Sequence, residues 1–268
     1  MDAYSLDKQK LVELGLQNAE QYKNAKPFPH IVLDNVFPTE VLGGVLKEFP
    51  GTAEEDWIRF KTPYESLKLA SREEELFGNT TRSFMYLLNS QIFLEFLEKL
   101  TGIEHLIADP TFEGGGLHQI MPGGFLKIHT DFNKHSKTKL DRRLNVLIYL
   151  NENWQEEYGG HFELWDVEMK SAQVKVLPLF NRMAIFSTTD FSYHGHPEKL
   201  KCPPGMTRKS LALYYYTNGR PAEEINENTK DHNTLFQLRP EDNSLKAREF
   251  ALSFVPPIVR QSIKNILR

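Results

Sequence analysis

The chain has 268 residues, 40% hydrophobic and 25% charged, with 32 Lys and Arg against 36 Asp and Glu for a formal net charge of -4. That is the mix of a globular domain, and it excludes a disordered tail, a collagen-like repeat and a coiled coil. A weakly acidic surface argues against phosphate-backbone binding, and no apolar run reaches the ~18 residues of a membrane span, so neither nucleic acid nor membrane is an expected partner.

Leu6, Leu11, Leu14 and Leu16, set among charges, predict an amphipathic helix over 5–23, with Ser5 as its cap. PFPHIVLDNVFP predicts a strand over 30–33, and Thr39 caps a helix over 40–48 that Gly43 and Gly44 weaken. Residues 51–87 are polar and carry no clear period. SQIFLEFLEKLTGI, ending at Ile103, has helical spacing.

From about residue 110 the pattern changes. GLHQIM, FLKIHTDF, RRLNVLIYLN, HFELWD, AQVKVLP, RMAIFST and SLALYYYT follow one another, rich in β-branched and aromatic residues and broken by Gly, Pro or Asn. Short strands without long helices between them predict an antiparallel sandwich or barrel, here buttressed by helices. The tail is polar to about Asn243, and 245–268 reads as helix interrupted by Pro256 and Pro257. The expected organisation is one domain, with a support region 1–109, a core 110–217 and an extension 218–268. A single cysteine, Cys202, excludes an internal disulfide and a Cys-based zinc site. With no apolar core in MDAYSLDKQK, a reduced, cytoplasmic location is expected.

Three segments carry chemistry. Strand alternation in FLKIHTDF puts Phe125, Lys127, His129 and Asp131 on one face. A His and an Asp so placed can reach one metal ion, although the triplet alone reads as readily as a polar surface strand. Just after RMAIFST, FSYHGHPEKL offers His194 and His196. Two imidazoles and one carboxylate hold one face of an octahedral ion and leave the other positions open, the arrangement of non-haem Fe(II) oxygenases. TRKSLALYYYT opens with Arg208, on the same strand face as Ser210, Ala212 and Tyr214. A lone guanidinium aimed into a barrel needs an anion, and a carboxylate fits it in bidentate fashion. An exposed Arg at a strand entrance is the ordinary alternative.

HTDF, then RRLNVLIYLN with Trp154 and the pair Gly159 and Gly160, then SYHGH, then RKSLALY resemble the 2-oxoglutarate and Fe(II)-dependent oxygenases of the prolyl 4-hydroxylase-like branch, over about 110–217. PFPHIVLDNVFP is also typical of such chains. The resemblance implies a mainly β (α+β) fold, a double-stranded β-helix of jelly-roll or cupin type with flanking helices. It implies Fe(II) on His129, Asp131 and His194, because the SYH of SYHGH matches the family's distal histidine. It implies 2-oxoglutarate as cosubstrate, O2 as oxidant and ascorbate as an optional reductant. Arg208 matches the residue that pairs with the distal carboxylate of 2-oxoglutarate, and Tyr149 a phenol that several members offer to it. Asn145, Leu147 and Tyr149 share a face and would line that pocket, Asn145 and Leu147 reading equally as core. Phe162 and Tyr214 would wall it.

The implied reaction is hydroxylation of an unactivated C–H bond with release of succinate and CO2, on a prolyl residue or a small molecule. His196, His118 and Lys127 are the candidate substrate contacts. Many relatives carry a Tyr in the strand before H-x-D; LHQIMPGGFL has none, and His118 or Gln119 would replace its hydrogen bond. Halogenating relatives have a small residue at the position of Asp131, so the carboxylate argues for hydroxylation. The aromatics Trp154, Trp165 and Phe132 shape the mouth or belong to the core. The basic segment 134–143, with His135, is either a loop over the site or a solvated hairpin. A non-catalytic ligand-binding or metal-sensing barrel is the competing class, and a zinc hydrolase would need a glutamate base that the sequence does not place.

Overall fold

The computed structural model describes residues 6–221, 224 and 231–253. Ser5, Pro256 and Pro257 lie outside them. Four helices, α1 (Lys8–Asn24), α2 (Thr39–Glu48), α3 (Asn79–Leu88) and α4 (Gln91–Thr101), precede or interleave with the first strands. The strands are β1 (His30–Asp34), β2 (Ile58–Lys61), β3 (Glu65–Ala70), β4 (Ile107–Ala108), β5 (Gly116–Thr130), β6 (Asp141–Tyr149), β7 (Phe162–Trp165), β8 (Ala172–Val176), β9 (Arg182–Ser187), β10 (His194–His196), β11 (Arg208–Thr217) and β12 (Leu235–Phe236), followed by α5 (Asn243–Ser253). None of the described helices is long and apolar enough to cross a membrane.

The strands pair antiparallel in the order β1-β9-β6-β11-β5-β10-β7-β8. β5 is the corner of this path. Its first part, Gly116–Ile120, pairs with β11, and its second, near Leu126 and His129, pairs with β10. GLHQIM and FLKIHTDF, expected as two segments, are therefore one strand of 15 residues. The MPGG between them makes a kink rather than a turn. Gly123 has φ +82°, and a Cβ on Gly124 would sit 2.5 Å from the Ile120 side chain. Chain bending at such points lets one strand serve two sheets. The result is the expected double-stranded β-helix.

β6, β9 and β11 are buried on both faces, which explains their near-continuous apolar sequences. Leu144, Val146 and Ile148 of β6, Met183 and Ile185 of β9, and Leu211, Leu213 and Tyr215 of β11 pack outward against the helices. Leu147 and Tyr149 of β6, with Ala184 and Phe186 of β9, turn inward towards Phe162 and Leu164 of β7. The helix layer itself is close-packed: a Cβ on Gly15 of α1 would lie 2.9 Å from the Phe96 carbonyl of α4.

Two local expectations change. α1 is capped by Asp7, whose carboxylate accepts the Lys10 N–H at 3.1 Å. At α2 the helix begins at Thr39 itself, behind Pro38, with no side-chain cap. The segment 51–87, without a clear period, folds into the β2–β3 hairpin and α3. Its polarity reflects strands with one wet face, IRFK being mostly exposed.

Candidate metal centre

His129 is the penultimate residue of β5, Asp131 follows the strand end, and His194 opens β10 directly opposite His129. That register stacks the two imidazoles with ring centroids 4.4 Å apart. One potential ligand atom from each of His129, Asp131 and His194 lies within 4.8 Å of the other two. His129 Nε2 is 3.5 Å from one Asp131 oxygen, and His194 Nε2 is 3.2 Å from the other. Each histidine gives its Nδ1–H to a backbone carbonyl, Lys127 at 2.9 Å and Ser192 at 2.8 Å. A carbonyl can only accept, so each Nε2 carries its lone pair towards the shared centre, the tautomer a metal ligand needs.

Asp131 Oδ2 accepts from Asn145 Nδ2 at 2.7 Å and from Arg142 Nη2 at 3.0 Å. Arg142 is fully buried, its guanidinium 3.4 Å from the Tyr214 ring centroid and 4.4 Å from that of Phe132. Burial alone would raise the Asp131 carboxyl, but Arg142 and His194 hold it well below the usual carboxylate range. Burial, then the neighbouring His194, lowers His129 and keeps it neutral. One carboxylate oxygen is thus fixed by two donors while the other is left to the centre. Two imidazoles with their Nε2 atoms turned inward and a carboxylate on one side form a donor set that fits a divalent first-row cation with open positions.

Arg208 lies deeper. It is 5% exposed, donates Nε–H to the Gly160 carbonyl at 2.7 Å, and has Nη2 3.4 Å from the Tyr149 hydroxyl. Among the described residues no carboxylate lies within ion-pair distance of it. Burial presses its pKa down. A buried guanidinium with a fork turned to a cavity and no anionic partner from the chain fits a dicarboxylate cosubstrate.

The cavity that joins these groups has a volume of about 230 Å³. It brings together His129, Asp131, His194, Arg208, Asn145 and Leu147, and its wall includes His118, His196, Phe132, Phe162 and Tyr214. Tyr149 stands behind Arg208. Asn145, expected to line the cosubstrate pocket, does border the cavity, but its polar atoms serve Asp131 and Arg142. Among the described residues neither ring nitrogen of His196 has a hydrogen-bond partner, and burial, then Arg208, keeps it neutral.

Other candidates fall away. Lys127 was expected to share the His129 face as a substrate contact; its Nζ instead meets Asp242 at 2.6 Å, outside the cavity wall. Gln119 bonds the Pro50 carbonyl and the Thr207 hydroxyl, so only His118 of the pair faces the cavity. His135 is buried in its own loop, where Nδ1 accepts the N–H groups of Lys137 and Thr138. Trp165 bonds Glu163, and Trp154 packs with Leu200 and Cys202. The basic segment 134–143 closes on itself through Lys134–Asp141, and its Arg142 turns inward.

Sequence reasoning missed Arg142, the β3 residues Glu65 and Lys68, and the pair Thr234 and Phe236, all but Arg142 on the cavity wall. The signal for Arg142 was available: a second Arg beside the first, opening an apolar strand.

The family description "2OG-Fe(II) oxygenase superfamily" matches residues 115–216, the segment holding all three ligand candidates and Arg208. The match covers the β core and not the whole chain. Mouse prolyl 3-hydroxylase OGFOD1 is 22% identical over 195 residues, covering 71% of this chain but 33% of that protein, so the chain spans about a third of the relative's length. Among solved structures, a prolyl hydroxylase from Trichoplax adhaerens, in complex with a hypoxia inducible factor peptide fragment, superposes with a TM-score of 0.58 at 17% identity, covering 81% of this chain and 96% of that one. HygX from Streptomyces hygroscopicus, with nickel, 2-oxoglutarate and hygromycin B bound, gives 0.51 at 13% identity over 81% and 97%. These structures share the fold of this core.

Proposed function

We propose that the protein is an Fe(II)- and 2-oxoglutarate-dependent dioxygenase that hydroxylates an unactivated C–H bond. The observation that carries this is the coexistence of the His129, Asp131 and His194 set with an unpaired buried cation, Arg208, on one cavity. A binding-only barrel has no need of both.

His129, Asp131 and His194 would hold the iron, and Arg208 with Tyr149 the distal carboxylate of 2-oxoglutarate. When bound, the pair supplies dioxygen reduction: substrate C–H, O2 and 2-oxoglutarate give substrate C–OH, succinate and CO2. Ascorbate would serve only to keep the iron reduced. The chain's own part is placement. Lys127 and Ser192 carbonyls orient the imidazoles, Asn145 and Arg142 fix the carboxylate, and Leu147, Phe162 and Phe186 keep that end of the cavity apolar. No side chain is required as acid or base. A zinc hydrolase is disfavoured because the carboxylate beside the centre, Asp131, is committed to Arg142 and Asn145.

The relatives named above are prolyl hydroxylases or, for HygX, hold hygromycin B, and a prolyl residue or a small molecule is the corresponding proposal here. The free thiol of Cys202, buried and unpaired by disulfide, supports a reducing, cytoplasmic setting. Succinate formation from 2-oxoglutarate on addition of Fe(II) tests the activity. His129→Ala and Asp131→Ala are expected to abolish it with the far-UV spectrum unchanged; full turnover in either would refute the assignment.

A further inference from the structure

Glu65 and Lys68 stand on β3, outside the segment matched by the superfamily, yet both line the metal cavity. Strand alternation would put residues three apart on opposite faces. A bulge brings them together. Leu67 has φ +53°, and pairing with both neighbours skips it: Ser66 and Lys68 face Lys61 and Phe60 on β2, and Phe125 and Ile120 on β5. The bulge leaves Leu67 40% exposed and turns Glu65 onto the face of Lys68. A non-glycine residue held at positive φ is strained, and bulges of this kind re-aim side chains next to ligand sites.

What the bulge creates is an enclosed ion pair. Lys68 Nζ lies 3.0 Å from Glu65 Oε2, with side chains 15% and 12% exposed, and the ammonium sits 4.4 Å from the Phe60 ring centroid. Among the described residues, the other carboxylate oxygen and the remaining ammonium hydrogens have no hydrogen-bond partner. The charge of Lys68 reaches into the cavity, where it adds to burial in lowering both His118 and His196.

The chemistry of the pair restricts its ligand. A singly charged group would take one partner and leave the other charge enclosed and uncompensated, which is costly. A neutral amide would be met by neutral donors and acceptors at less desolvation cost. A group carrying both charges satisfies both. We propose that Glu65 and Lys68 are the recognition subsite for a zwitterion, with the substrate's α-ammonium on Glu65 and its carboxylate on Lys68, so that the molecule oxidised is a free α-amino acid. This rests on the oxygenase reading and names its substrate class.

The test uses the full chain with Ni(II) and 2-oxoglutarate, which allows binding without turnover. Free amino acids, then the N-acetyl and carboxamide forms of any that bind, are titrated by thermal shift and calorimetry. At least one free amino acid should saturate, and each cap should weaken it by tenfold or more. In Lys68→Met the penalty for the carboxamide should vanish while that for N-acetylation persists; in Glu65→Gln the reverse should hold. Capped prolyl peptides binding as well as free amino acids, no amino acid binding at all, or both variants weakening every form equally would each overturn the proposal. The charge-transfer absorbance of the anaerobic Fe(II) and 2-oxoglutarate complex is recorded alongside. Its absence would sink the oxygenase reading and the subsite with it; its presence without amino-acid binding would sink the subsite alone.

Discussion

Asn145→Leu separates placement of the metal carboxylate from general packing. Asn145 is 2% exposed and makes two bonds: Nδ2 to Asp131 at 2.7 Å, and Oδ1 from Arg142 Nε at 2.8 Å. Leu has nearly the same shape, so little volume is lost. A hydrogen bond to a charged group contributes about 1.5–3 kcal/mol, and the orphaned Arg142 Nε costs about 1–3 kcal/mol more, so the metal-free protein should lose about 2.5–6 kcal/mol of unfolding free energy. Asp131 would keep Arg142 but gain freedom to rotate. Loss of such a supporting partner typically weakens metal binding by about 10–100-fold. Stability is read by urea unfolding in chelator, and affinity by Mn(II) titration followed by electron paramagnetic resonance. A variant that loses stability yet binds Mn(II) within twofold of the parent would refute the reasoning, because Asn145 would then be a satisfied core amide and nothing more.

Arg208→Met should raise the dissociation constant of 2-oxoglutarate by roughly 10–100-fold, the worth of charged hydrogen bonds, with Mn(II) affinity far less affected; equal losses of both would count against its role. Gly160→Ala should act on the same site from behind: φ is +72°, and the added Cβ would lie 2.6 Å from Leu200 and 3.0 Å from Arg208 Cδ. We expect the KM for 2-oxoglutarate to rise about tenfold, as a displaced charged bond implies, and an unchanged KM would show that the guanidinium has room to yield. His196, neutral when folded because burial lowers its pKa, binds its proton more readily unfolded. Stability must therefore fall as pH drops below about 6.5, by at most about 2 kcal/mol at pH 5 for one such histidine. His196→Leu should flatten that part of the metal-free urea-unfolding profile; an identical pH dependence would refute the burial argument.

Alternation carried the sequence reading a long way. On β6 and β11, which are regular there, Asn145 and Leu147, and Arg208, Ser210 and Tyr214, border the cavity as parity suggests, whereas Tyr149 and Ala212 of the same faces are not on its wall. His129 and Asp131 are adjacent alternate residues at the end of β5, whereas the pairing of β5 with β10 shifts between Leu126 and His129, so Lys127 leaves the cavity face that parity gave it. Parity fails where a bulge intervenes. Arg142 reaches Asp131 because the pairing of β6 with β11 shifts between Leu144 and Arg142, skipping Arg143. Lys68 and Glu65 share the cavity because Leu67 is skipped. Neither bulge occurs at a glycine or proline, so no residue type announced it. At MPGG the opposite happened: residues that usually end a strand only bend one, because β3, β10 and β11 continue the ladder on either side.

The two kinds of position also divide the work. The matched segment supplies the ligand candidates and Arg208, whereas the mouth of the cavity draws on β3 and on Thr234 and Phe236 of the strap around β12. The strap is fastened to the metal strand itself. Phe236 pairs with His129, stacks on Tyr64 at 4.9 Å, and is followed by Gln237 bonding the Ile128 carbonyl. Lys127, whose carbonyl orients His129, sends its side chain to Asp242 beyond the strap, and Asp242 is held in turn by Arg239. Thus the residue that fixes a ligand's tautomer also anchors the wall that meets the substrate. On the proposals above, the reaction would be set by the matched segment, and substrate choice in part by the cavity-wall residues outside it. A prolyl substrate therefore does not follow from the core, and Glu65, Lys68 and Phe236 are where the difference has to be sought.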